Sequence, residues 1–313
     1  MTDPPLSNLP PPTAEPPALT APTERKLFHS PALGFAILRA GIYLALGAAM
    51  SFALGVAARP FLAPGFSPFA PKVLMTGEAV FAIGALAAAA VMSHLEKRPF
   101  GAYGLPLRAA FGKLFWQGVA FGLLEISIVV GAMAAFGAYH FGSLMVHGSD
   151  VLRWATFWAF FFVLVGLYEE FTFRGYVQFN FSQAIGFWPS AVLLSLAFGA
   201  VHITNNGETA AGIAGVVLTG LLWCLVLRRT GNLWFAVGMH ASFDFGETFL
   251  YSVPDSGYVF PGHLSNAVIA GPTWITGGTA GPEASVFDFL TLLLFFYLIH
   301  RLYPPQPQTN PPA

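Results

Sequence analysis

The stretch WATFWAFFFVLVGLYEEFTFR, Trp154 to Arg174, decides how this chain is read. From Trp154 to Leu167 it carries no charge, and such a run reads as part of a membrane span, which needs about 20 mostly apolar residues. It then ends on two adjacent glutamates and an arginine. Charged side chains are costly inside a bilayer and persist there chiefly where they have work to do.

The rest of the chain agrees with a membrane setting. Of 313 residues, 55% are hydrophobic and 9% charged, with a mean hydropathy of +0.64. Soluble domains carry about 25% Asp, Glu, Lys and Arg, so a soluble fold this poor in charge could not cover its surface. A net charge of −1 excludes the basic footprint of a nucleic-acid binder. The single cysteine, Cys224, excludes an internal disulfide and a cysteine metal cluster. Both ends are proline-rich and lack apolar periodicity, so residues 1–28 and 304–313 are expected to be disordered tails.

Eight apolar runs follow one another: Ala32–Ala58, Val73–Met92, Leu114–Ala138, Trp154–Phe173, Phe187–Val201, Ala210–Leu227, Leu233–Tyr251 and Val286–Leu302. The expected fold is therefore all-α, a polytopic transmembrane bundle of about eight helices packed through small residues such as those in GIAGVVLTG. With the N-terminus inside, the inner side collects ten Lys and Arg, Arg174 among them, against Arg59, Lys72 and Arg153 outside. This bias predicts a multi-pass protein with both termini cytoplasmic, most simply in the cell membrane. The Gly/Pro-rich stretch after Tyr251, uncharged apart from Asp255, reads as an outer loop, re-entrant where protein buries it.

Three runs carry chemistry-bearing groups. In YEEFTFR, Glu170 and Arg174 are four apart, acidic residue first, the order that favours an ion pair along a helix. Glu169 is rotated by about 100° from Glu170. One carboxylate is thus neutralised while the other points elsewhere, able to take a proton from water. SLAFGAVHITNNG ends an apolar helix on His202, and WFAVGMHASFDFGETF places His240 and Asp244 four apart on one helix face. Taken singly, the Glu/Arg set reads equally well as helix-end residues snorkelling to headgroups, and a lone intramembrane histidine as a packing residue. Three such helices together are harder to read that way. Counting along straight helices sets a geometric tension, with His240 about 14 Å and His202 about 20 Å from the inner side while Glu169 lies at its helix end. Glu78 and Glu125 are expected to pair structurally, with Arg39 or across helices.

EEFTFR, FGAVH and HASFD resemble, in order, the EExxxR, FxxxH and Hxxx(N/D) motifs of the CAAX-protease and bacteriocin-processing family of intramembrane endopeptidases. The likeness covers Trp154 to Tyr251, and RPFGAYGLPL is similar to a loop often found upstream in that family. The resemblance implies Glu169 as the base that activates water, Glu170 and Arg174 holding it, and His202 binding the same water. It implies that His240 and Asp244 stabilise the oxyanion; with Asp where many members have Asn, Asp244 is better suited to orient His240. Phe198 is a packing residue in this reading. The implied organisation is a helical region 29–150, a catalytic core 151–252, and a loop with a last helix over 253–303. Its substrate would be a membrane-associated or lipid-modified peptide. No cofactor is firmly implied: a Glu–His pair activates water unaided, while zinc on Glu169, His202 and His240 stays the alternative. A membrane scaffold or immunity factor, and then a proton-coupled transporter, are the competing functions; the oligomeric state is unknown.

Overall fold

The computed structural model describes residues 28–62 and 67–304. The expected tails lie outside the described residues except for Phe28 and Pro304. The helices are α1 Leu33–Ala58, α2 Pro71–Leu95, α3 Lys113–Ala135, α4 Ser149–Glu170, α5 Gln178–Ile185, α6 Phe187–His202, α7 Ala210–Thr230, α8 Trp234–Phe245, the short α9 Thr273–Thr276 and α10 Val286–Leu302. Local signals set several ends. Pro71 opens α2, where its missing N–H costs nothing. Thr209 caps α7 by accepting from the Gly212 N–H, and Gly231 stops it in the left-handed region at φ 64°.

The protein is a polytopic helical bundle, as the apolar runs predict. Among the described residues, five helical stretches are long and apolar enough to cross a membrane: Leu33–Phe61, Pro71–Leu95, Lys113–Ala135, Ser149–Ile185 and Ala210–Thr230. Phe187–His202 is apolar but shorter. The helices pack as a closed circuit, α1 on α2, α2 on α4, α4 on α8, α8 on α3, α3 on α10, α10 on α7, α7 on α6, α6 on α5 and α5 back on α1. Apart from Phe243 and Phe245, α8 is buried along its whole length, from Trp234 to Asp244. Its closest partner is α3, and glycine makes that closeness possible. A Cβ on Gly122 would sit 2.2 Å from the Met239 carbonyl oxygen, and one on Gly238 would sit 2.2 Å from that of Phe115.

One expected span is corrected. The fourth was to end at Phe173, but the helical chain runs on through a π-helical segment, Phe171–Val177, into α5 and stops at Ile185. Arg174 is consequently a buried residue inside the bundle, not a loop cation. The segment after Tyr251 folds back on the bundle. It pairs Val268–Ile269 (β2) antiparallel with Tyr139–His140 (β1) and buries Asp255, Ser265 and Glu283.

Candidate active site

The longer fourth helix removes the geometric tension set by straight-helix counting. Gly186, at φ 86°, turns the chain between α5 and α6. Glu169 lies 17 residues before that turn and His202 16 residues after it, so the folded-back pair brings them level. After Glu170 the turns widen, and the chain kinks at Gly175 (φ −84°, ψ −108°) before entering α5.

Glu170 is fully buried, and its Oε1 accepts from Arg174 Nη1 at 3.1 Å. Gly220 of α7 leaves the space for the guanidinium, since a Cβ there would meet Arg174 Nη2 at 2.3 Å. The guanidinium also lies over the Phe198 ring, 4.1 Å from its centroid.

α8 brings His240 to the same carboxylates. It runs close along α4 at Gly166, where a Cβ would lie 3.0 Å from the Val237 carbonyl oxygen and 3.6 Å from His240 Cβ. His240 Nδ1 is 3.1 Å from Glu170 Oε1. Its Nε2 is 3.3 Å from Asp244 Oδ2, the expected i,i+4 contact, and 3.8 Å from Glu169 Oε2. Both ring nitrogens therefore face carboxylates. Glu169 keeps 24% of its side chain accessible, against 0% for Glu170.

His202 is half-buried, with Nδ1 2.8 Å from the Phe198 carbonyl oxygen. That contact makes Nδ1 the donor in the neutral ring and leaves Nε2 with its lone pair. His202 is also an electrostatic neighbour of Glu169. The six side chains singled out in the sequence are thus gathered into one constellation from α4, its π-helical continuation, α6 and α8.

One participant escaped the sequence reading and two were undervalued. Trp223 of α7 stacks on the His240 ring at 4.4 Å; nothing in an apolar helix marks one tryptophan above another. Glu78 of α2 has Glu169 as its charged neighbour, which replaces the expected structural pairing with a place at the site's edge. Glu125 likewise faces a carboxylate, Asp288, rather than a cation. Phe198 does more than fill space: its ring touches both histidines, with centroids 4.6 Å from His202 and 6.5 Å from His240.

A groove of about 780 Å³, lined largely by apolar side chains, lies between α1 and α2 and reaches Tyr168 and Thr172 on either side of Glu169 and Glu170. On the other side of His240, Asp244 is continued by an acidic group comprising Glu247, Asp255 and Glu283. Burial, then neighbouring carboxylates (Asp244 for Asp255, Asp255 for Glu283), pushes the Asp255 and Glu283 carboxyls well above the usual carboxylate range.

Residues 150–246 match the family of type II CAAX prenyl endopeptidases described as Rce1-like. The Rce1-like match holds all six sequence-selected residues and ends one residue before Glu247. It agrees with the family resemblance carried by the three motifs. With the apolar helices, it makes this an integral membrane protein. No curated protein matches the chain.

Proposed function

We propose that the protein is an intramembrane endopeptidase that hydrolyses a peptide bond of a membrane-associated, lipid-modified substrate with water activated by Glu169 and His202. The observation that carries this reading is the accessible Glu169 carboxylate facing His240 at 3.8 Å, while Glu170 and Asp244 hold the His240 ring from either side.

In this mechanism Glu169 and the free Nε2 of His202 accept hydrogen bonds from one water. Its oxygen attacks the amide carbon as its proton passes to Glu169. The negative charge then developing on the carbonyl oxygen needs a donor. His240 Nε2–H supplies it, because its 3.3 and 3.8 Å contacts to Asp244 and Glu169 are longer than a good charge-assisted hydrogen bond. Asp244 orients the ring and favours its protonated form, the role better suited to Asp than oxyanion donation. Glu169 finally delivers its proton to the leaving amine nitrogen, and the C–N bond breaks.

Zinc on Glu169, His202 and His240 is the second reading. A ligating imidazole offers one nitrogen's lone pair to the metal and hydrogen-bonds through the other to a carboxylate, the relation His240 Nδ1 has to Glu170 while Nε2 faces Glu169. These three residues would then hold the ion, which would polarise the attacking water. The water-activating step is assigned here to the Glu169 and His202 side chains.

The groove beside Tyr168 offers a place for the substrate's lipid chain next to the reacting groups. Both termini are placed in the cytoplasm and the protein in the cell membrane. The cation bias supports this orientation, standing at eight to three once buried Arg174 and Arg229 are left out. The test is cleavage of quenched fluorescent prenyl-peptides by the full chain in detergent, wild type beside Glu169→Gln and His202→Ala. Loss of product in both variants supports the reading. Full activity in both would end it and favour the scaffold.

A further inference from the structure

Asp244, Glu247 and Asp255 come from three different pieces of backbone. Asp244 is on α8, Glu247 in the π-helical segment Gly246–Leu250 that continues it, and Asp255 in the following loop. Two backbone bonds close the loop around Asp255, from its N–H to the Tyr258 carbonyl (2.9 Å) and from the Tyr258 N–H to its own (2.8 Å). One ligand oxygen from each of the three lies within 4.8 Å of the others. Oxygens around a Ca²⁺ ion at about 2.3–2.6 Å span no more than about 5 Å, so this spacing matches a shared cation.

A second observation points to a ligand there. Glu247 is fully buried, and neither of its carboxylate oxygens has a hydrogen-bond partner among the described residues. A carboxylate so placed is costly unless something compensates it. Glu283, its charged neighbour, also has one buried oxygen without a partner. The partners that do exist leave this need unmet: Thr248 donates to Asp255 Oδ2 at 2.9 Å, and Asp244 meets His240 at 3.3 Å.

We propose that Asp244, Glu247 and Asp255 bind a hard divalent cation of the Mg²⁺, Ca²⁺ or Mn²⁺ class, which positions Asp244 and through it the His240 ring. Oxygen-only donors select such ions over zinc. The cation is a positioning ion: it lies on the far side of Asp244 from the ring, and the reacting water belongs to Glu169 and His202. A chelator then slows the enzyme without any metal touching the substrate. Glu247 and Asp255 both lie beyond the end of the Rce1-like match at residue 246.

The test uses the full chain, purified in detergent, stripped with a strong chelator and moved to metal-free buffer. Mn²⁺ is titrated in and the free ion followed by its electron paramagnetic resonance signal; melting temperature is read in parallel. The expected result is one Mn²⁺ per chain, displaced by Ca²⁺ or Mg²⁺, with affinity at least tenfold weaker in Glu247→Gln and in Asp255→Asn. Mn²⁺ raises the melting temperature of the wild type and not of these variants, whereas Glu169→Gln and His202→Ala bind as the wild type does. Should one carboxylate variant fail to fold, the other carries the same comparison. The proposal is overturned by absence of saturable binding, by binding that survives both carboxylate substitutions, or by binding lost in His202→Ala. Because the readout is binding, its failure is separate from a failure to find peptide cleavage.

Discussion

At the residue scale, Glu169 and Glu170 are neighbours in the chain with opposite situations. Glu170 is sealed against Arg174 and His240, while Glu169 keeps a quarter of its side chain accessible and has Glu78 as a charged neighbour. Glu169→Gln is therefore expected to lower kcat/KM by about 10²–10⁴-fold, the usual worth of a general base, with the melting temperature unchanged. Peptide cleavage and thermal unfolding, measured on the same preparation, check this. Arg174→Ala does the reverse kind of damage. It leaves a fully buried carboxylate without its cation, which costs about 3–5 kcal/mol. The expected outcome is a large fall in melting temperature. The double variant Glu170→Gln/Arg174→Met recovers much of that stability but no activity, since His240 has lost the charge that orients it.

At the element scale, the site depends on how closely α8 can approach α3 and α4. Gly122→Leu puts side-chain atoms where the Met239 carbonyl now lies, so α8 must move. A loss of about 1–3 kcal/mol is expected from overpacking, together with a disproportionate loss of activity as His240 is carried away from Glu169. Gly131→Leu, on the same helix with nothing within 4 Å, is the control and is expected to leave both quantities near wild type. Thermal unfolding and cleavage of the two variants distinguish them. Phe198→Ala is expected to affect activity more than stability, because one ring spaces His202, His240 and Arg174.

At the scale of the whole molecule, the circuit of helices encloses the acidic and imidazole groups and leaves a groove open beside them. The proposed orientation has a direct test, made simple by the presence of one native cysteine, which is buried. In a Cys224→Ser background, Val259→Cys, at an exposed position of the loop after Tyr251, is expected to react with an impermeant maleimide from outside intact cells. A cysteine added after Ala313 is expected to react only after the cells are opened. The opposite pattern would reverse the topology.

The spans were legible in the sequence because burial in lipid demands long apolar runs whatever the neighbours are. The last run, Val286–Leu302, coincides with its helix residue for residue, although at 17 residues that helix is not one of the five long enough to cross. The pairs Glu170–Arg174 and His240–Asp244 were legible too, because four residues make about one helical turn and the contact is local. What the sequence could not supply was anything that depends on two distant segments meeting. The continuation of α4 past Phe173 was hidden because polar Gln178 and Asn180 look like loop residues, yet Asn180 is buried, accepting from Arg39 and donating to the Tyr176 carbonyl. Trp223 against His240 and Glu78 near Glu169 are likewise consequences of packing between separate segments. Sequence alone determined the apolar helical segments and the residue types they carry, since those follow from local periodicity and hydropathy, but not α5. Tertiary structure alone decided which of them meet, since that depends on where glycines let backbones approach.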